Sequence, residues 1–269
     1  MLQGLTEVLQ GVRPVVPQHE LPGASPGLPL SALAQRYALH FGDEELSTQF
    51  QTLFQKDLPA LPLVEELAQR LGPGVHVTLL RVPLLEDALA RHQPGLPLYV
   101  LQPSRTEERS VITLRHVAGK GWEKLKKPPG TFDPRREALL LRPYRGYLPN
   151  RVFGAPLLTE DDYLLHVRKL EETLPPELAT PIKSVLARQP SLLLGMSLLS
   201  WDHRHLLYSL FARRPLPEGS TVLLEPGHSE SESWRRGRGL PGGGGLRLIQ
   251  ASYPGLAEHL GASAPGGAR

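Results

Sequence analysis

SLLLGMSLLSWDHRHLLYSLF, running from Ser191 to Phe211, is the stretch on which the fold reading turns. Ser191 to Leu194 is an apolar run of strand type, and Gly195 to Ser200 is a turn opened by glycine. Trp201 to Phe211 is a helix with Leu207, Leu210 and Phe211 on its inward stripe. Ser200 stands where a helix cap belongs, and Asp202 lies in the first turn, where a carboxylate suits the helix dipole. In open α/β sheets such junctions sit at the carboxyl ends of strands, where helix N-termini present free N–H groups to ligands. Gly195 would let a ligand approach the backbone, and Ser197 would add a hydroxyl beside it. By composition alone, a single glycine between strand and helix is ordinarily just a turn.

The same alternation runs outward in both directions. PLSALAQRYALHF places Leu30, Leu33, Ala34, Tyr37, Ala38 and Phe41 at helical spacing, and DEELSTQFQTLFQ places Leu46, Phe50, Leu53 and Phe54 on a second stripe. LPLVEELAQRLG is a third helix, stopped by Gly72-Pro73-Gly74. VHVTLL (Val75 to Leu80) is a strand, and Pro83 opens the helix PLLEDALARH. PLYVLQ, SVITLRHV and EALLLRPY read as strands, and KGWEKLKKPPG as an exposed loop or hairpin tip. TEDDYLLHVRKL begins with Thr159 and has Asp162 three residues on, the spacing of a capping box. IKSVLAR is a short helix, TVLLE and GLRLIQ are strands, and PGLAEHLG is a final helix. The expected fold is therefore α/β, a mostly parallel sheet flanked by helices. No composition break divides residues 1–269, so a single domain is expected. Residues 102–136 read as a variable insertion, 227–245 as a flexible loop and 261–269 as a disordered tail.

Composition narrows the chemistry. The chain of 269 residues has no cysteine, which excludes disulfides, thiolate metal sites and cysteine nucleophiles. A net charge of +3 is too small to argue for nucleic acid without a concentrated basic patch. No apolar run approaches the ~20 residues of a membrane span, and no secretion signal is visible at the start, so a cytoplasmic protein without membrane attachment is expected.

Three motifs then carry a family resemblance. G-M-S-L-L-S-W-D (Gly195 to Asp202) resembles the G-x-S-x-x-D-W-[ND] signature of bacterial sirtuin-like domains. L-L-T-E-D-D-Y-L (Leu157 to Leu164) is similar to the family's T-E-D-D-Y helix start. T-L-L-R-V-P-L-L-E-D-A-L (Thr78 to Leu89) aligns without a gap with T-T-N-Y-D followed by x-L-L-E-x-A-L. Their order and spread over most of the chain imply a Rossmann-like domain that binds NAD, with a smaller module inserted. Under that resemblance Gly195 and Ser197 are the cofactor-binding residues.

The family's polar machinery is not matched. Its asparagine and aspartate fall on Leu80 and Val82, and its general-base histidine falls on Arg145, in Y-R-G (Tyr144 to Gly146). Arginine stays protonated at neutral pH and cannot accept a proton from a ribose hydroxyl. The family's first glycine loop falls on Arg13 to Leu21, where Pro17 and His19 replace glycines. The expectation is thus a pseudoenzyme with no cofactor, or at most vestigial NAD binding, that works through a protein partner or as a homo-oligomer. Family analogy suggests a prokaryotic assembly, antiviral defence among the options. The rival readings are an active NAD-consuming hydrolase or deacylase with displaced residues, His116 or His76 serving as base, and a nucleic-acid-associated module. The last would use Lys124, Lys126, Lys127, Arg135 and Arg136 near Trp122 and Phe132, with Arg235, Arg236 and Arg238 near Trp234. Blander readings fit several of these residues. His203 and His205 at i, i+2 diverge around a helix and make a poor metal pair, and Asp161 and Asp162 are explained by a helix start.

Overall fold

The computed structural model describes residues 30–54, 60–104, 110–166, 170–211, 216–226, 230–236 and 246–262. Along the chain lie helices α1 (Leu30–Phe41), α2 (Asp43–Phe54) and α3 (Pro62–Arg70), strand β1 (Gly74–Val77) and helix α4 (Leu84–His92). Strands β2 (Leu98–Pro103), β3 (Val111–Val117), β4 (Gly121–Leu125), β5 (Ala138–Leu141), β6 (Gly146–Tyr147) and β7 (Phe153–Gly154) follow. Then come α5 (Glu160–His166), α6 (Leu170–Thr173), α7 (Pro176–Arg188), β8 (Leu192–Leu194), α8 (Trp201–Phe211), β9 (Thr221–Leu224), α9 (Ser231–Arg236), β10 (Arg247–Gln250) and α10 (Tyr253–Ala262). The chain divides into two compact units. Among the described residues, one holds 30–54, Leu79–Pro83 and 144–166, and the other holds 60–78, 84–143 and the chain from 170 onward.

The larger unit is a mixed α/β structure. Its main sheet has the order β1-β5-β2-β3-β4, and a second, three-stranded sheet has the order β10-β9-β8. Strand β5 runs parallel to both its neighbours and is buried along its whole length, which is why Ala138-Leu-Leu-Leu is an unbroken apolar run. The expected mostly parallel sheet is met in part, since β1–β5, β5–β2, β8–β9 and β9–β10 are all parallel. β2–β3 and β3–β4 are antiparallel ladders, so the main sheet is half parallel and half antiparallel. The β3–β4 connection, Ala118 to Lys120, is a tight turn, and a turn that short joins only antiparallel strands. Residues 110–125, within the stretch read as an insertion, thereby supply two of the sheet's five strands.

Helix boundaries follow local chemistry. α3 starts with proline at its first position and buries Leu63, Val64 and Ala68. The Gln93 side-chain amide donates to the Ala68 carbonyl at 2.7 Å, satisfying a carbonyl that the helix end leaves open. α7 begins at Pro176, earlier than the expected IKSVLAR helix, and buries Leu178, Ala179, Ile182 and Leu186 along one stripe despite Pro181 inside it. Within the expected flexible loop 227–245, Ser231–Arg236 is helical and Trp234 is almost completely buried. Residues 227–229 and 237–245 of that loop, the tail beyond Ala262 and the Arg13 to Leu21 segment lie outside the described residues.

Polar residues lie at or just past the carboxyl ends of the three mutually parallel strands β1, β5 and β2. The Thr78 N–H donates to the Leu141 carbonyl (3.0 Å) and the Arg142 N–H to the Leu101 carbonyl (2.9 Å), which carries the ladder one residue past the strands. Thr78, Arg142 and Gln102 are all buried there. Arg142 pairs with Glu86 of α4, and neither side chain has any solvent exposure. Removing one partner of such a pair strands a charge in the core, whereas replacing both with apolar groups of similar volume is close to neutral. Arg142→Met should therefore destabilise the protein by about 3–5 kcal/mol in urea denaturation, and Glu86→Leu added to it should recover most of that loss.

Candidate functional site

The residues singled out in the sequence fall in two groups, one in each unit. In the smaller unit, Leu80 is half-buried, while Val82 and Arg145 are only 2% and 4% exposed. Arg145 adopts a left-handed backbone with φ 58°, a conformation that costs a non-glycine residue energy. Gly146 follows at φ 126°, and a Cβ there would lie 2.1 Å from the Arg81 carbonyl oxygen. The Tyr147 N–H donates to that same carbonyl at 2.8 Å, so the close approach is a built contact. The Arg81 side chain holds the rest together. Its Nε and Nη2 donate to the Leu157 carbonyl at 3.1 and 3.0 Å, Nη2 also reaches the Tyr163 hydroxyl, and the guanidinium sits 5.9 Å over the Tyr144 ring.

The TEDDY segment forms the expected reciprocal cap. The Asp162 N–H donates to Thr159 Oγ1 (3.0 Å), while Asp162 Oδ2 accepts from the N–H groups of Thr159 (3.2 Å) and Leu158 (3.0 Å). Asp161 exchanges two hydrogen bonds with the Gln35 side chain, at 2.8 and 3.0 Å. Both carboxylates thus have structural work.

In the larger unit the opening stretch folds as strand, turn and helix. Gly195 has φ 69°, which the turn requires. Ser200 occupies the cap position, its carbonyl accepting the first helical bond from the Arg204 N–H at 3.1 Å, but its hydroxyl turns to the Asp202 carboxylate. The turn's donors are taken by the chain itself. The Ser197 hydroxyl donates to Glu230 Oε1 at 2.6 Å and the Leu198 N–H to Glu230 Oε2 at 2.7 Å. The Ser197 N–H donates to His203 Nδ1 at 3.0 Å, which assigns the neutral ring its proton on Nε2. The Leu199 N–H donates to Ser197 Oγ at 3.1 Å. At the other end, burial and the nearby Glu225 carboxylate push the Tyr253 phenol above its ordinary range, against a hydrogen bond from the Gly195 backbone.

Glu230 is only 3% exposed, yet nothing in S-E-S-E-S-W separates it from the exposed Glu232 except Trp234 four residues on. An acidic residue one helical turn before a tryptophan was the available signal. His203 and Tyr253 had none, because their partners come from other parts of the turn and chain.

The two histidines considered as substitute bases are placed differently. The His76 Nε2–H donates to the Gly72 carbonyl at 2.9 Å. His116 lies opposite Trp122 on β4, with ring centroids 5.1 Å apart. Among the aromatic residues of the basic stretches, Phe132 and Trp234 are buried and Trp122 packs on His116, while Arg238 lies outside the described residues. No protein-family model matches the chain, and neither does any curated protein. No described helix is long and apolar enough to cross a membrane.

Two outcomes are expected. Gly146→Ala should destabilise the protein by more than the ~1 kcal/mol of an ordinary glycine replacement, because the added carbon meets rigid backbone; thermal melts against Gly119→Ala, where the same carbon meets open space, provide the comparison. Burial lowers the pKa of both His76 and His116 below 6.5, so the folded chain binds protons less readily than the unfolded one. Their contribution is complete above pH 6.5 and is lost as the pH falls from there toward the folded values. Urea midpoints at about pH 7.5 and about pH 5.5 should differ less in His76→Gln than in the unaltered protein.

Proposed function

We propose that the chain is a catalytically inactive sirtuin-like protein with a Rossmann-like scaffold, acting as a binding, structural or regulatory subunit. Its counterpart is a protein partner or a second copy of itself, in a prokaryotic cytoplasmic assembly of which antiviral defence is one setting. The observation that carries this reading is the engagement of the Ser197 hydroxyl and the Leu198 amide by the buried Glu230 carboxylate. A dinucleotide gripping this turn would need those two donors, and it would have to expel a charge-assisted pair of hydrogen bonds to reach them.

Support also comes from the smaller unit. Leu80 and Val82 offer no polar group for a nicotinamide ribose, and the Arg145 guanidinium cannot serve as a general base. What remains of the resemblance is scaffold: the capping box at Thr159 and Asp162, the left-handed Gly195 and the helix carrying Leu84, Leu85 and Leu89. No cofactor is expected, and NAD is the one the resemblance would supply.

Incubated with NAD, the purified chain should release nicotinamide no faster than buffer alone, as read by chromatography, and millimolar-range NAD should leave its melting temperature unchanged. Nicotinamide release that disappears in Ser197→Ala would overturn the proposal.

A further inference from the structure

We infer that the turn from Gly195 to Leu199 is a carboxylate-binding site that the chain closes on itself, with Glu230 as the internal occupant and an acidic peptide side chain as the ligand class that would replace it. This deepens the reading of the turn as catalytically silent and rests on it. The donor set is specific. One hydroxyl and one amide each address a different oxygen of the same carboxylate, at 2.6 and 2.7 Å, which is a two-point grip on a planar oxyanion. The Ser197 oxygen is fixed in turn by the Leu199 N–H, so the hydroxyl proton is directed outward at the carboxylate.

The occupant arrives on a short element with two anchors. The Trp234 N–H donates to the Glu230 carbonyl at 3.0 Å, placing carboxylate and indole one helical turn apart. The indole is 1% exposed and the carboxylate 3%. A helix of six residues has little stability of its own, so α9 is held in place by what it docks into. α9 therefore behaves as a tethered peptide ligand, an acidic residue followed four positions later by an aromatic one, favoured over a free competitor by its high effective concentration. A partner bearing such an acidic–aromatic pair has the chemistry to compete for the turn, and the tethered copy keeps the turn closed in its absence.

Chemical rescue tests the site without involving NAD. Glu230→Ala leaves the buried Leu198 amide and the half-buried Ser197 hydroxyl unmet and should lower the melting temperature by on the order of 5 °C, with sodium formate restoring part of that loss beyond sodium chloride at equal ionic strength. The unaltered protein should show no formate-specific shift, and inorganic phosphate should restore less than formate. Formate acting no better than chloride on folded Glu230→Ala overturns the inference, and phosphate outperforming formate overturns its assignment to carboxylates. Should Glu230→Ala not fold, Glu230→Gln is compared with Glu232→Gln, an exposed control; equal stability of the two overturns the inference. Failed rescue leaves the inactive reading standing, whereas nicotinamide release by the unaltered chain removes that reading and leaves the rescue result intact.

Discussion

A charge with no exposure to water must be answered inside the protein, and among the described residues the Glu86–Arg142 pair is one where both charges meet that demand from each other. Arg142 follows directly on β5, which lies between β1 and β2 in the main sheet, and Glu86 is the third residue of α4, so the pair ties helix to sheet at one register. A shift of α4 that put Leu85 in the place of Glu86 would face the guanidinium with an aliphatic side chain. Its value is positional: the attraction roughly offsets the desolvation of both ions, and what remains is a penalty on every other arrangement. The same pair gives Glu86 in L-L-E-D-A-L a packing reason, independent of any chemistry. The frame that most suggests a family resemblance is also the frame that the core of this chain requires.

The turn at Gly195 obeys the same rule with smaller charges. Amides and a hydroxyl near the start of a helix are donors in need of acceptors, and a protein leaves them to a ligand, to water or to itself. Here Glu230, His203 and the Ser197 oxygen supply the acceptors. The smaller unit shows a comparable economy around Arg81. Its side chain serves the Leu157 carbonyl and the Tyr163 hydroxyl, and its own carbonyl meets Gly146 so closely that no side chain fits. In both units, polar groups that could face a substrate are engaged in holding the chain together.

Much of this was legible in the sequence because its cause is local. The capping box at Thr159 and Asp162 depends on residues three apart, the α3 start on a proline, and the turn at Gly195 on the absence of a Cβ. β5 was legible because four consecutive apolar residues bounded by polar ones have few alternatives to a buried strand. Strand direction was not legible: PLYVLQ and SVITLRHV look alike whether parallel or antiparallel, and the ladder between them is decided by where the chain returns. The helix at Ser231–Arg236 was hidden by glycine and serine around it, since composition over nineteen residues outweighed one tryptophan that packing would bury.

By itself, the sequence determined most of the elements, the cap at Thr159 and Asp162, the absence of cysteine chemistry and the inability of Arg145 to act as a base, all of which depend on residue type or on neighbours within a turn. The tertiary structure alone decided that Glu86 meets Arg142 across 56 positions and that Glu230 fills the turn at Ser197 from 33 positions away. Such pairings are invisible in a linear pattern because the favourable energy arises only when water is excluded from both partners, and exclusion is a property of the assembled core.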